Sequence, residues 1–214
     1  QRKEKNMSIL VNDNYQNLAQ NYLFSNIAKK VKAYTEANPD KKVIRLGIGD
    51  VTLPLVPTVI EAMHKAVDEM GNQATFRGYA PECGYDFAIE AVIKHYAAWN
   101  VELWMNEVFI SDGAKSDCGN ITDIFGDNEI LIPDPVYPVY LDSNSMNGRR
   151  ISYLAANQEN GFLPMPEGVE KKSYIIYICS PNNPTGAVYN KEQLKEWVDF
   201  ANETQSVIIF DSAY

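Results

Sequence analysis

From Tyr174 to Ile178 the chain runs Tyr-Ile-Ile-Tyr-Ile, with no polar position alternating toward water. A strand of that composition has to be covered on both faces, as the central strands of a parallel sheet are. Its surroundings fit that demand. Val43 to Leu46, Val108 to Ile110, Glu129 to Ile132, Ile151 to Leu154 and Val207 to Phe210 are further short apolar runs of strand length. Between them the spacing changes to that of helices. Pro57 stands where a helix would start, Val59, Ile60, Met63, Val67 and Met70 follow at helical intervals, and Gly71 closes the element. Residues 85–98 repeat the pattern with Phe87, Ala91, Val92 and Tyr96. A helical stretch follows Gly113, another spans Val136 to Met146, and a third puts Leu194, Trp197, Val198 and Ala201 on one face. Ahead of all this, residues 7–40 read as an arm and then a helix, with Ser25 as a candidate cap and Asn38-Pro39-Asp40 as the stop. Strand and helix in alternation predict an α/β fold with a largely parallel sheet.

Val207 to Phe210 reads as a buried strand, yet only four residues follow it. A central parallel strand normally continues through a crossover to its neighbours. The expectation is an incomplete domain with an uncovered sheet edge or apolar face.

Charge and composition remove several function classes. The formal net charge is −9, which disfavours nucleic acid or an anionic membrane as a partner. The basic runs are pairs: Lys29-Lys30, Lys41-Lys42, Arg149-Arg150 and Lys171-Lys172. No apolar run approaches the roughly 20 residues of a membrane span. Cys83, Cys118 and Cys179 are odd in number and widely spaced, giving neither a disulfide framework nor a zinc pattern. That favours a reducing, cytoplasmic location. His64 and His95 lie far apart within helical patterns and read as packing or surface residues.

Three segments carry the chemistry. Ser180-Pro181-Asn182-Asn183-Pro184-Thr185-Gly186 directly follows a strand and is longer than a simple turn requires. Phe210-Asp211-Ser212-Ala213-Tyr214 sets an Asp at the C-terminal end of an apolar strand, where open α/β sheets bind ligands. Alone, Asp211 reads equally as a helix cap or as the partner of a protonated ring nitrogen. Ile110-Ser111-Asp112-Gly113-Ala114-Lys115 joins a strand to a helix whose first N–H groups suit a phosphate.

In this order the three segments resemble the class I/II aminotransferases, fold-type-I enzymes that use pyridoxal 5'-phosphate. Asn21-Tyr22-Leu23-Phe24, Leu46-Gly47-Ile48-Gly49-Asp50, Arg77-Gly78-Tyr79 and Asp134-Pro135-Val136-Tyr137-Pro138 narrow the match to the LL-diaminopimelate aminotransferase family, from about Tyr15 to Tyr214. The resemblance implies that Asp211 pairs with the cofactor's ring nitrogen and that Asn183 and Tyr214 hydrogen-bond its phenolic oxygen. It implies that Tyr137 stacks on the ring and that Ala114 and Lys115 hold the phosphate. It also implies that Tyr79 reaches that phosphate from a neighbouring subunit. Tyr22, Gly49, Lys115, Tyr137 and Asn183 then line the substrate. Residues 1–53 become an N-terminal arm with a small-domain segment, and residues 54–214 the N-terminal portion of the large domain. The complete enzyme of that family moves an amino group between LL-diaminopimelate and 2-oxoglutarate in lysine biosynthesis, as a homodimer.

One feature of the family has no counterpart here. Its Schiff-base lysine follows the Asp-x-Ala-Tyr segment by some tens of residues, and no lysine follows Asp211 in this sequence. The arginine that grips the substrate α-carboxylate is also later in the family. The expectation is that this chain alone is inactive, as a fragment or beside a complementary C-terminal chain. Two other readings stay open: another transaminase or lyase on the same fold, and a non-catalytic cofactor-binding or interaction module. A nucleotide-binding domain is disfavoured, since no G-x-G-x-x-G or P-loop string is present.

Overall fold

The computed structural model describes residues 9–18, 23–45, 51 and 53–214. Tyr22 and Gly49, both expected at the substrate, lie outside the described residues. Of the strand expected at Val43 to Leu46, Val43 to Arg45 are described and join no strand, so their apolar run finds no ladder partner among the described residues, and Leu46 lies outside them. Two compact units are formed, one by residues 1–20 with 111–214 and the other by residues 21–110.

The first unit holds a four-stranded sheet. In chain order it contains α4 (Ala114–Asn120), β1 (Glu129–Asp134), α5 (Pro138–Met146), β2 (Ile151–Ala155), β3 (Tyr174–Cys179), α6 (Lys191–Thr204) and β4 (Val207–Asp211). The strand order is β2-β1-β3-β4 and every pairing is parallel. The sheet of the sequence reading is thus present, and β3, the uninterrupted apolar run, is central and buried at all six positions. Strand side chains alternate between faces, which sorts the core into two layers. Leu131, Ile176 and Ile178 pack with Tyr189, Trp197 and Phe200 beneath α6. Ile130, Ile132, Ile175, Tyr177 and Cys179 pack with Cys118 and Tyr140 beneath α4 and α5.

Local chemistry sets the helix ends. Pro138 stands at the start of α5, where its missing N–H costs nothing. α6 begins with a capping box, in which the Asn190 side chain accepts from the Gln193 N–H and the Gln193 side chain accepts in return. The parallel register brings Cys179 opposite Asp211, so β3 and β4 end side by side. That pairing puts the loop after β3 next to the last residues of the chain.

The second unit contains α1 (Leu23–Ala37), α2 (Pro57–Met70) and α3 (Asp86–Ala97). α1 starts two residues before Ser25, which is therefore inside its first turn and not its cap. Val108 to Ile110, expected as a strand, is extended but unladdered. The Ile110 N–H donates to the Cys83 carbonyl instead, a loop contact that takes the place of strand pairing. α2 has the expected apolar stripe, and Val59, Ile60, Met63, Val67 and Met70 are all exposed along it.

Candidate cofactor site

The C-terminal edge of the sheet carries the site, because a parallel sheet ends all its strands on one side and the following loops gather there. Asp211 is the last residue of β4 and is 9% exposed. Its Oδ2 accepts hydrogen bonds from the Tyr140 hydroxyl and, more weakly, from the Cys118 thiol at 3.8 Å. Its Oδ1 accepts from the Ala213 N–H at 3.0 Å. Its carbonyl accepts from the Ser180 N–H at 3.0 Å, tying the two motif loops together.

A cavity of about 130 Å³ opens over this carboxylate. Ala114, Lys115, Tyr137, Asn183, Asp211 and Tyr214 all line it. Six of the seven residues expected at the cofactor therefore meet at one place. The seventh, Tyr79, belongs to the unit of residues 21–110, where its ring is fully exposed. Asn183 donates to the Tyr214 hydroxyl at 3.0 Å, so the pair expected at the phenolic oxygen is already joined. Tyr137 caps α5 and meets the Tyr140 ring edge-on, with centroids 5.7 Å apart. A second opening, of about 310 Å³, shares Ala114, Asp211 and Ala213 with the first and extends past Cys118 and Phe210.

The loop before α4 is held by its own side chains. The Ser111 hydroxyl donates to Asp117 at 2.6 Å and accepts from the Gly113 N–H at 3.2 Å. Gly113 caps the helix with φ +142° and ψ 156°, a conformation reserved for glycine. The loop after β3 turns on Gly186, whose φ is +72° and whose N–H donates to the Asn182 carbonyl at 2.7 Å.

Tyr140, Cys118 and Cys179 also line or support the cavity, and sequence reasoning did not single them out for it. A signal existed for two of them. Tyr140 is one helical turn beyond Tyr137, and Cys118 is one turn beyond Ala114. The odd number and wide spacing of the three thiols speak only to disulfide and zinc chemistry. Burial first, and then the Asp211 charge, pushes the Cys118 thiol up to about 12. Burial likewise raises Tyr140 far above the ordinary phenol range, with the Asp211 hydrogen bond acting in the same direction. Both groups stay protonated and donate to the carboxylate.

A buried carboxylate needs compensation by charge or hydrogen bonds. Among the described residues, no lysine, arginine or histidine forms an ion pair with Asp211. A protonated ring nitrogen in the cavity would supply the missing positive charge. The donor set thus fits pyridoxal phosphate: a carboxylate for the ring nitrogen, an amide and a phenol for the phenolic oxygen, and an aromatic for the ring face. Among the described residues there is no grouping of His, Cys, Asp and Glu suited to a metal ion, and no helix long and apolar enough to cross a membrane.

Comparison with known proteins agrees with this geometry. The LL-diaminopimelate aminotransferase of Agathobacter rectalis is 54% identical over 219 residues, covering 95% of this chain and 54% of the relative. The same enzyme of Methanosphaera stadtmanae is 52% identical over 222 residues, covering 97% of this chain and 53% of the relative. The chain therefore spans about half the length of the curated relatives it matches. Among solved structures, L,L-diaminopimelate aminotransferase from Chlamydomonas reinhardtii matches with a TM-score of 0.84 at 36% identity, over 96% of this chain and 53% of that one. The architecture is that of the fold-type-I aminotransferases. With residues 41–214 matching the family of aminotransferases class I and II, the chain belongs to that family, whose cofactor is pyridoxal phosphate.

Proposed function

We propose that this chain provides the cofactor-facing half of an aminotransferase acting on LL-diaminopimelate and 2-oxoglutarate. The observation that carries the reading is the buried Asp211 carboxylate, without an ion-pair partner among the described residues, beneath a cavity lined by Tyr137, Asn183, Tyr214 and Lys115. The sequence similarity to LL-diaminopimelate aminotransferases supports the substrate pair over other amino and 2-oxo acids. Pyridoxal phosphate, when bound, supplies an electron sink for the substrate carbon that loses a proton. The residues of this chain do the rest of the holding. Asp211 keeps the ring nitrogen protonated, Asn183 and Tyr214 donate to the phenolic oxygen, and Tyr137 covers the ring face. Ala114 and Lys115 hold the phosphate at the start of α4, and the Lys115 ammonium also suits a substrate carboxylate.

In this reading Tyr22 and Gly49 line the substrate, and Tyr79 reaches the phosphate of a second subunit. Residues 1–53 form the arm and small-domain segment, and residues 54–214 belong to the large domain. A homodimer is supported by the exposed apolar stripe of α2. A cytoplasmic location is supported by three free cysteines. In this reading the lysine that holds the cofactor covalently and the arginine for the substrate α-carboxylate would come from the part of the relatives' length that this chain does not match.

The test is an absorbance titration of pyridoxal phosphate into the full-length protein, beside its Asp211→Asn variant. Loss of the charged partner should weaken binding about tenfold or more, from the ~1.5–3 kcal/mol of a hydrogen bond to a charged group. Turnover should favour LL-diaminopimelate over aspartate or alanine as amino donor. Equal cofactor affinity in the two proteins would sink the assignment of Asp211, and a preference for aspartate would move the substrate to another branch of the family.

A further inference from the structure

Tyr140 is fully buried, yet its hydroxyl is not spent on a backbone carbonyl. It donates to Oδ2 of Asp211. The ring stacks on Tyr177 with centroids 4.7 Å apart at 21°, and it meets Tyr137 edge-on. Asn144 fixes this stack from behind: its side-chain amide donates to the Tyr140 carbonyl at 2.8 Å and to the Tyr177 hydroxyl at 3.2 Å. One side chain therefore touches both the carboxylate and the aromatic ring that the proposed function assigns to the cofactor.

The acceptor inventory of Asp211 shows what that contact does. A carboxylate has about four lone-pair sites, two on each oxygen. Tyr140 and Cys118 occupy Oδ2, while the Ala213 N–H takes one site on Oδ1. The remaining capacity is on Oδ1. A hydroxyl also donates more strongly to a carboxylate than to a neutral carboxyl, so the contact supports the charge that Asp211 presents.

We propose that Tyr140 is a positioning residue, whose hydroxyl fixes the Asp211 carboxylate and leaves Oδ1 to a protonated ring nitrogen while its ring backs Tyr137. This rests on the proposed function. A phenylalanine would fill the same stack, so packing alone does not require the hydroxyl. Burial keeps that hydroxyl protonated at any physiological pH, and it acts as a donor throughout.

Tyr140→Phe removes the donor and keeps the ring. The experiment uses the full-length protein as wild type, Tyr140→Phe and Asp211→Asn, each with pyridoxal phosphate labelled with 15N in its ring. Affinity is read by absorbance, and ring-nitrogen protonation by its 15N shift across a pH series. Y140F should bind about tenfold more weakly, the effect of losing one hydrogen bond to a charged group. Its ring nitrogen should also lose its proton at lower pH than in wild type. A packing role would change affinity or melting without moving that titration. If D211N moves the titration and Y140F does not, the positioning role is wrong and the cofactor reading stands. If neither variant moves it, both fail. A Y140F protein that does not fold would assign the hydroxyl to folding and overturn the proposal.

Discussion

Gly113 shows how a single backbone conformation shapes the site. Its φ of +142° lies where side chains are strained, although a Cβ built there meets nothing within 4 Å. The cost of Gly113→Ala is therefore backbone strain alone, about 1–3 kcal/mol. We expect chemical denaturation to show that loss, with weaker cofactor binding as the loop before α4 shifts. An unchanged unfolding midpoint would mean that the loop adapts without strain. Asp211 and Cys118 make the complementary point. Their value lies in which neighbours surround them, since the same carboxylate at a strand end elsewhere would be a cap.

At the scale of elements, the outer end of the sheet is clipped by Glu129 at the start of β1. Its carboxylate accepts from the Ser152 hydroxyl on β2 and pairs with Lys172, just ahead of β3, at 3.1 Å. Arg150 stands 3.8 Å away. The Ser152 hydrogen bond foremost, then Lys172 and Arg150, hold this carboxyl below its ordinary value against the opposing effect of burial. A carboxyl depressed in the folded state adds stability above its unfolded value, near 4.5, and loses that contribution as pH falls through the folded value. Glu129→Gln should therefore cost about 1 kcal/mol at neutral pH. The gap to wild type should close as the pH drops below about 4.5, which urea unfolding across a pH series measures. A gap that stays constant with pH would assign the loss to packing. α6 joins the same sheet differently. Trp197, 1% exposed, donates from its indole to the Pro164 carbonyl at 3.2 Å, so this helix is anchored by both apolar burial and a polar tip.

Across the whole molecule, burial is uneven. Most of the buried side chains belong to the sheet and its helices, whereas within residues 21–110 only Ile89 and Val108 stand among the buried apolar residues described. Local stability follows buried apolar contact. Hydrogen exchange should be slowest in β1 and β3, which have strands on both sides, and intermediate in β2 and β4. In the chain alone it should be fastest in α2, whose apolar stripe is exposed. Protection of α2 equal to that of β3 in the monomeric chain would contradict this ranking, whereas protection of α2 that appears only on dimerisation would mark its stripe as the face the dimer covers.

Period and punctuation were enough to read most elements from the sequence. β3 is legible because an unbroken apolar run has one stable environment, and α2 and α6 are legible because their apolar residues recur with the helical turn. The motif residues were also legible, since the string from Ser180 to Gly186 and the Asp211 to Tyr214 segment are unusual as strings. Val108 to Ile110 misled because an apolar run states a preference for burial but cannot state whether a neighbouring strand exists. For Tyr140 and Cys118 helical spacing indicates a place beside Tyr137 and Ala114 but not the shared partner, for a related reason. Their hydrogen bonds to Asp211 span 71 and 93 residues of sequence, and one-dimensional spacing cannot report a contact that only the parallel register of β3 and β4 and the packing of α4 and α5 create. The sequence by itself determined which groups were available for the chemistry; the tertiary structure alone decided which of them share a carboxylate.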